Sequence, residues 1–180
     1  MDFYINDDTA WLRKAVRWVV NIVVAIACGW FLVYGFGEQV LISGNSMQPQ
    51  LSAQDVVLMN RIIYVTGTPD RFDVVIFERE DGKKNVKRII GLPGETVQIR
   101  DSRVYINGEP LNEDKMGEVS LAGRAADPVR LGEKEYFLLG DNRGSSEDSR
   151  FPNIGNVKRE QILGKAWFRM LPLLNLGFVS

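Results

Sequence analysis

From Trp18 to Phe36 the sequence reads WVVNIVVAIACGWFLVYGF, with no charged residue and a single amide, Asn21. Wound into an α-helix at ~1.5 Å per residue, this stretch covers roughly 28 Å, close to the thickness of a bilayer's hydrocarbon core. Trp18 stands at one end, and Trp30, Phe31, Tyr34 and Phe36 gather toward the other, as in the aromatic belts of membrane interfaces. A buried core helix is one competing reading. A chain of 180 residues forms one compact domain plus a small extra segment, however, and such a domain rarely hides so long an apolar helix. A cleaved signal peptide is the other. The flank, with Asp2, Asp7 and Asp8, is longer than usual for one, and the run ends in bulky aromatics instead of a small-x-small site. The sequence therefore predicts an uncleaved anchor over residues 15–37. Arg13, Lys14 and Arg17 precede the uncharged run and Glu38 follows it. The positive-inside rule then puts residues 1–14 in the cytoplasm and residues 38–180 outside the plasma membrane. Cys28, mid-span, reads as a small packing residue.

Past the anchor, short runs rich in β-branched and aromatic residues alternate with turn signals. DVVLMNRIIYV (55–65) leads to Gly67, Pro69 and Asp70; FDVVIFERE (72–80) leads to Asp81-Gly82; NVKRIIGL (85–92) ends at Pro93-Gly94. TVQIRD (96–101) and RVYI (103–106) flank a tight turn, Asn107-Gly108 makes another, and EYFLLG (135–140) and GKAWFRM (164–170) complete the set. Beyond the anchor no 3.6-residue periodicity competes. The expected fold is mainly β, a small antiparallel barrel or sandwich behind one transmembrane helix. Residues 112–130, polar and rich in small residues, read as a long, mobile loop. The apolar tail LPLLNLGFVS is expected either to pack on the β domain or to rest on the membrane surface.

What the chain lacks narrows its chemistry. A net charge of −1 argues against a nucleic-acid surface. One cysteine excludes an internal disulfide framework and a cysteine-rich metal site. The absence of histidine removes the commonest base and the commonest metal ligand. Neither a metal nor a cofactor is expected. Just past the anchor, LISGNSMQPQ (41–50) sets two serines around a Gly-Asn pair. A serine nucleophile needs a base. With Cys28 in lipid, the candidates are Lys, Asp, Glu and Tyr, and a carboxylate is too weak unless strongly perturbed. A lysine, with an ordinary pKa of ~10.4, costs about 4.6 kcal/mol to hold neutral at pH 7. Burial can supply that, so a catalytic lysine belongs inside an apolar strand. Lys83 and Lys84 adjoin the Asp-Gly turn, and Lys115 and Lys134 lie in polar surroundings. Lys87, in NVKRII, and Lys165 both have apolar neighbours. The pattern favours Lys87, against the alternative of a strand lysine facing water beside Arg88.

Four segments, in order, carry a resemblance: SGNSMQP (43–49), DRFDVVIF (70–77), KRIIGLPGE (87–95) and GDNRGSSEDSR (140–150). Together with the anchor they resemble the motifs of the type I signal peptidases in their compact form. The resemblance implies a membrane-bound serine endopeptidase that removes signal peptides from secretory preproteins, cutting after small residues at −3 and −1. It implies Ser46 as nucleophile and Lys87 as general base. Ser146 would hydrogen-bond and orient the amine. Asp148 and Arg150 would form an ion pair shaping the site, with Asp141 and Arg143 holding the loop. The Ser46 N–H would serve the oxyanion. A second donor supplied in some members by a serine is Gly44 here, which leaves Ser43 or another N–H. Ile42, Met47, Leu51, Ile76 and Val86 would line the substrate pockets. Phe72 stands where the family commonly has glycine, and Gln50 where threonine is common. The main alternative is a catalytically inert, membrane-anchored assembly or chaperone protein of the same fold, against which the presence of both Ser46 and Lys87 argues. A self-cleaving repressor would carry a DNA-binding domain instead of the span. The oligomeric state is not legible.

Overall fold

The computed structural model describes residues 10–179. Most of the expected cytoplasmic segment, with Asp2, Asp7 and Asp8, lies outside the described residues. Helix α1 (Ala10–Phe36) begins before residue 15, where the anchor was expected to start. Every residue described along it from Trp11 to Phe31 is exposed, and the same stretch is long and apolar enough to cross a membrane. The core-helix reading fails on that exposure, because no protein surface covers the apolar side chains.

From α1 the chain passes through Gly37 into β1 (Glu38–Leu41), a strand too short to have stood out in the sequence. The further strands are β2 (Val56–Asn60), β3 (Val74–Glu78), β4 (Lys84–Gly91), β5 (Thr96–Arg100), β6 (Arg103–Ile106), β7 (Glu109–Pro110), β8 (Val129–Arg130), β9 (Glu135–Leu139), β10 (Val157–Lys158), β11 (Ile162–Leu171) and β12 (Gly177–Phe178). Eight form one antiparallel sheet in the order β1-β2-β11-β3-β4-β9-β10, with β12 folded back on β11. The other four form a sheet in the order β7-β6-β5-β8. The mainly antiparallel β class holds.

The local chemistry explains the layout. Val74, Val75, Ile76 and Phe77 are all buried, as a strand covered on both faces requires. Strand β11 pairs with β3 at its start and with β2 along the rest, and register shifts bend it where it changes partner. Asp101 and Ser102 both adopt positive φ to close the β5–β6 hairpin, and Asn107 and Gly108 do the same after β6. The run 55–65 is strand only as far as Asn60. There the Asn60 carboxamide oxygen accepts the Ile62 and Ile63 N–H groups, each at 3.1 Å, and starts a one-turn helix, α2 (Ile63–Thr66).

The loop expected to be mobile, 112–130, is tied down instead. Asp114 pairs with Arg143 at 2.7 Å, Arg150 reaches the Leu121 carbonyl, and Val119 and Ala125 are buried in the core beside the small sheet. The tail packs on the β domain only in part. Val179 packs into a core with Ile42, Met47 and Val57, while Leu173, Leu174, Leu176 and Phe178 stay exposed.

Candidate active site

Ser46 lies on the loop between β1 and β2. Backbone bonds pin the loop's ends (Ile42 N to Asp55 O and Gln54 N to Ile42 O, both 2.8 Å), and the Leu51 N–H donates to Met47 O at 2.8 Å. Met47 and Leu51 are buried in the core, so the loop is plugged on the side away from solvent while Ser46 itself stays partly exposed. A second segment grips it from above. Asn142 N donates to Ser46 O at 3.0 Å, and its side-chain amide donates to Asn45 O at 3.2 Å. Gly140 allows this approach: a Cβ there would overlap both the Ser46 carbonyl oxygen and the Ser146 hydroxyl.

Lys87 comes from β4, opposite Val75 of β3. It is 4 % exposed. Its Nζ donates to Ser46 Oγ at 2.8 Å and to Val86 O at 3.1 Å, both neutral oxygens. Burial pushes the ammonium's pKa down from 10.5 to about 8, against the pull of Asp148, Glu147 and Asp141, with Arg79 adding to the depression. The protonated form therefore costs on the order of 3 kcal/mol in this setting. An amine so placed is neutral often enough to take a proton from a hydroxyl in hydrogen-bond reach.

The neighbour on the same strand is handled oppositely. Arg88 is 2 % exposed and forks onto Asp141 with two 2.7 Å bonds; it also reaches Phe72 O at 2.8 Å and the Gln50 side chain. Asp148 pairs with Arg150 at 2.8 Å, and Arg150 also donates to the carbonyls of Leu121, Arg143 and Ser146. These buried pairs fix the 140–150 segment over the site more than they stabilise the fold. Ser146 departs from its expected role. Its hydroxyl is buried with no hydrogen-bond partner among the described residues. The amine's bonds go to Ser46 and Val86, so the Ser146–Lys87 bond is not made. Phe72, at a position where the family commonly has glycine, carries φ +70°, a conformation that glycine adopts without steric cost.

A cleft of about 280 Å³ opens at Ser46 and Lys87. Ile42, Ser43, Met47 and Val86 line it, with Val40, Arg79, Lys84 and Glu147 among the other residues of its walls. Leu51 and Ile76 do not. Both are fully buried in the core behind it, so their expected pocket role is replaced by packing. Sequence reasoning missed Arg79 and Glu147 because charged residues flanking turns read as solvated, and it missed Asp114 because nothing local ties it to Arg143. Among the described residues, no three His, Cys, Asp or Glu side chains gather as a metal site would need.

The chain is also similar to known proteins. A family model described as signal peptidase, peptidase S26, matches residues 15–171. A probable signal peptidase I-2 of Synechocystis sp. is 32 % identical over 180 residues, covering 96 % of this chain and 79 % of that protein. Signal peptidase I T of Bacillus subtilis is 35 % identical, covering 87 % of this chain and 86 % of that protein. A crystal structure of a signal peptidase I from Enterococcus faecalis V583 is 35 % identical in sequence, with a TM-score of 0.47 over 55 % of this chain and 97 % of that one.

Proposed function

The chain belongs to the signal peptidase family, peptidase S26, and its activity is the removal of signal peptides from secretory preproteins; on that premise we propose that Ser46 and Lys87 carry the reaction. The supporting observation is the 2.8 Å approach of a buried amine to a partly exposed hydroxyl. At pH 7 an amine with a pKa of about 8 is neutral in about a tenth of molecules. In that fraction the 2.8 Å contact reverses direction, and Ser46 O–H donates to the nitrogen lone pair. Ser46 Oγ attacks the peptide carbonyl as its proton passes to Lys87 Nζ. The resulting oxyanion is met by the Ser46 N–H, which makes no backbone hydrogen bond among the described residues. Ser43, in the cleft wall, is a candidate second donor. The intermediate collapses, the ammonium gives its proton to the departing amine, and the mature chain leaves. A water molecule, deprotonated by the same amine, then hydrolyses the acyl-enzyme ester and frees the signal peptide's carboxylate.

The substrate lies extended between residues 42–45 and 84–87, the facing walls of the cleft. Ile42, Met47 and Val86 leave room for small side chains and exclude large ones, which accounts for cutting after small residues at −3 and −1. Ser146, Asp148, Arg150 and Asp141 shape the wall behind the amine. Helix α1 anchors the enzyme in the plasma membrane, with its N-terminus in the cytoplasm and residues 38–180 outside. Its exposed apolar surface and the basic residues Arg13, Lys14 and Arg17 in its first turns, ahead of the uncharged run, support that topology. The exposed Leu173, Leu174, Leu176 and Phe178 would rest against the outer leaflet, where a signal peptide's own apolar core is held.

Ser46→Ala and Lys87→Ala test the dyad in a cleavage assay on a preprotein with alanine at −3 and −1. Each is expected to lose at least about 10³-fold in rate while keeping the parent's far-ultraviolet circular dichroism. Near-parental processing by either variant would overturn the assignment.

A further inference from the structure

Four charged side chains act on the Lys87 amine from outside its own strand: Asp148, Glu147, Arg79 and Asp141. On its own strand stand Arg88, bound to Asp141, and Lys84, bound to Glu38. Two of the four are locked away from water, because Asp148 is clasped by Arg150 and Asp141 by Arg88, and both carboxylates are fully buried. The other two form a different kind of pair. Arg79 follows β3 and braces the β3–β4 hairpin, its N–H donating to Lys83 O at 2.9 Å. Its guanidinium bridges to Glu147 at 3.1 Å, with side-chain exposures of 19 % and 54 %, and its Nε also lies 3.7 Å from the Asp81 carboxylate at the hairpin turn. Asn153 holds the other oxygen of the Glu147 carboxylate. Both residues line the cleft, and Glu147 sits in sequence between Ser146 and Asp148.

We propose that Arg79 and Glu147 are positioning residues for Lys87, an ion pair in the cleft wall whose two charges balance each other at the ε-amine. This rests on Lys87 being the general base. The signs follow from charge alone. Glu147 favours the ammonium and Arg79 favours the neutral amine, and while they are bound to each other the two fields largely cancel. Of the four charges, this pair is the one that solvent and a docked preprotein can reach. It also couples the 144–148 segment to the hairpin that carries Lys84 and Val86, so the electrostatic balance and the spacing of the cleft walls depend on the same contact.

The test is the pH dependence of kcat/KM for the full-length protein in detergent micelles, acting on a preprotein with alanine at −3 and −1. Glu147→Gln is expected to move the midpoint down by about half a pH unit, the size expected for a partly solvated unit charge in the same cleft wall. Arg79→Gln is expected to move it up by a similar or smaller amount. The double variant should return close to the parental midpoint, and Arg79→Lys, which keeps the charge, should hold it. A merely structural pair would lower rates without separating the midpoints. Midpoints that coincide, or that shift in the same direction, overturn the proposal. If Lys87→Ala is inactive in the same assay while the two midpoints stay together, only the positioning role falls. If Lys87→Ala is active, the dyad itself falls.

Discussion

Helix α1 and the strand-and-loop unit formed by β4 and residues 140–150 break the ordinary rule of burial in opposite directions. The helix turns Val, Ile, Leu and Trp side chains outward along its whole described length. The unit takes Lys87, Arg88, Asp141, Arg143, Asp148 and Arg150 inside, each at most 4 % exposed. The first exception fits the membrane anchoring of the family, since lipid makes apolar exposure favourable. The second is resolved by pairing, since each arginine meets a carboxylate at hydrogen-bonding distance. Lys87 is the member left over, bonded only to neutral oxygens. The difference between Lys87 and Arg88 is therefore chemical as well as positional. A guanidinium cannot shed its proton and is buried with a partner. An amine can, and its burial without one favours the neutral form.

Removing a partner from the buried set should have the largest effect. Asp141→Asn takes away the charge opposite Arg88 and is expected to cost about 3–5 kcal/mol of stability, read from denaturant unfolding in micelles; an unchanged transition would mean the pair is not the constraint it looks to be. Loading the helix with what it lacks comes next. Val24→Arg, mid-span, is expected to cost roughly 2.5–3.5 kcal/mol of membrane insertion. It should raise the fraction released by alkaline carbonate and leave the unfolding of the β domain unmoved. A β domain that loosened as well would show that the two regions are not independent. The smallest effect is steric. Gly140→Ala should cost about 1–3 kcal/mol, with a larger loss in kcat than in KM, because the added methyl presses on the Ser46 carbonyl. Parental kinetics would imply that the segment yields without moving the nucleophile.

Much of this was legible beforehand, for definite reasons. The apolar run stood out because so long an uncharged stretch is rare in a small compact domain. Strands β3, β4, β5, β6 and β11 stood between turn residues whose φ preferences forced the breaks. Ser46 and Lys87 were readable because their motifs are local. What escaped depended on distant partners. Arg88 could have faced water, and only Asp141, on a separate segment, explains its burial. The two-residue strands β7, β8, β10 and β12 owe their existence to the neighbours they pair with. Residues 112–130 looked free because the arginines that hold them, Arg143 and Arg150, come from the far side of the site. Leu51 and Ile76 were apolar and near the motifs, but the strand and loop turn them inward.

Stability carries the same signature as catalysis. The unfolded chain keeps the Lys87 proton up to its ordinary pKa of 10.5, whereas the folded chain releases it near 8. Between those values the unfolded state binds more protons, so stability contributed by this residue rises with pH across the window and is flat below it. The most direct measurement is the titration of the Lys87 ε-amine itself, followed by NMR in the full-length protein with isotope-labelled lysine and assigned by its loss in Lys87→Ala. A midpoint near 8 is the expected result. A midpoint near 10.5, the ordinary lysine value, would leave the amine charged at neutral pH and contradict its role as the base.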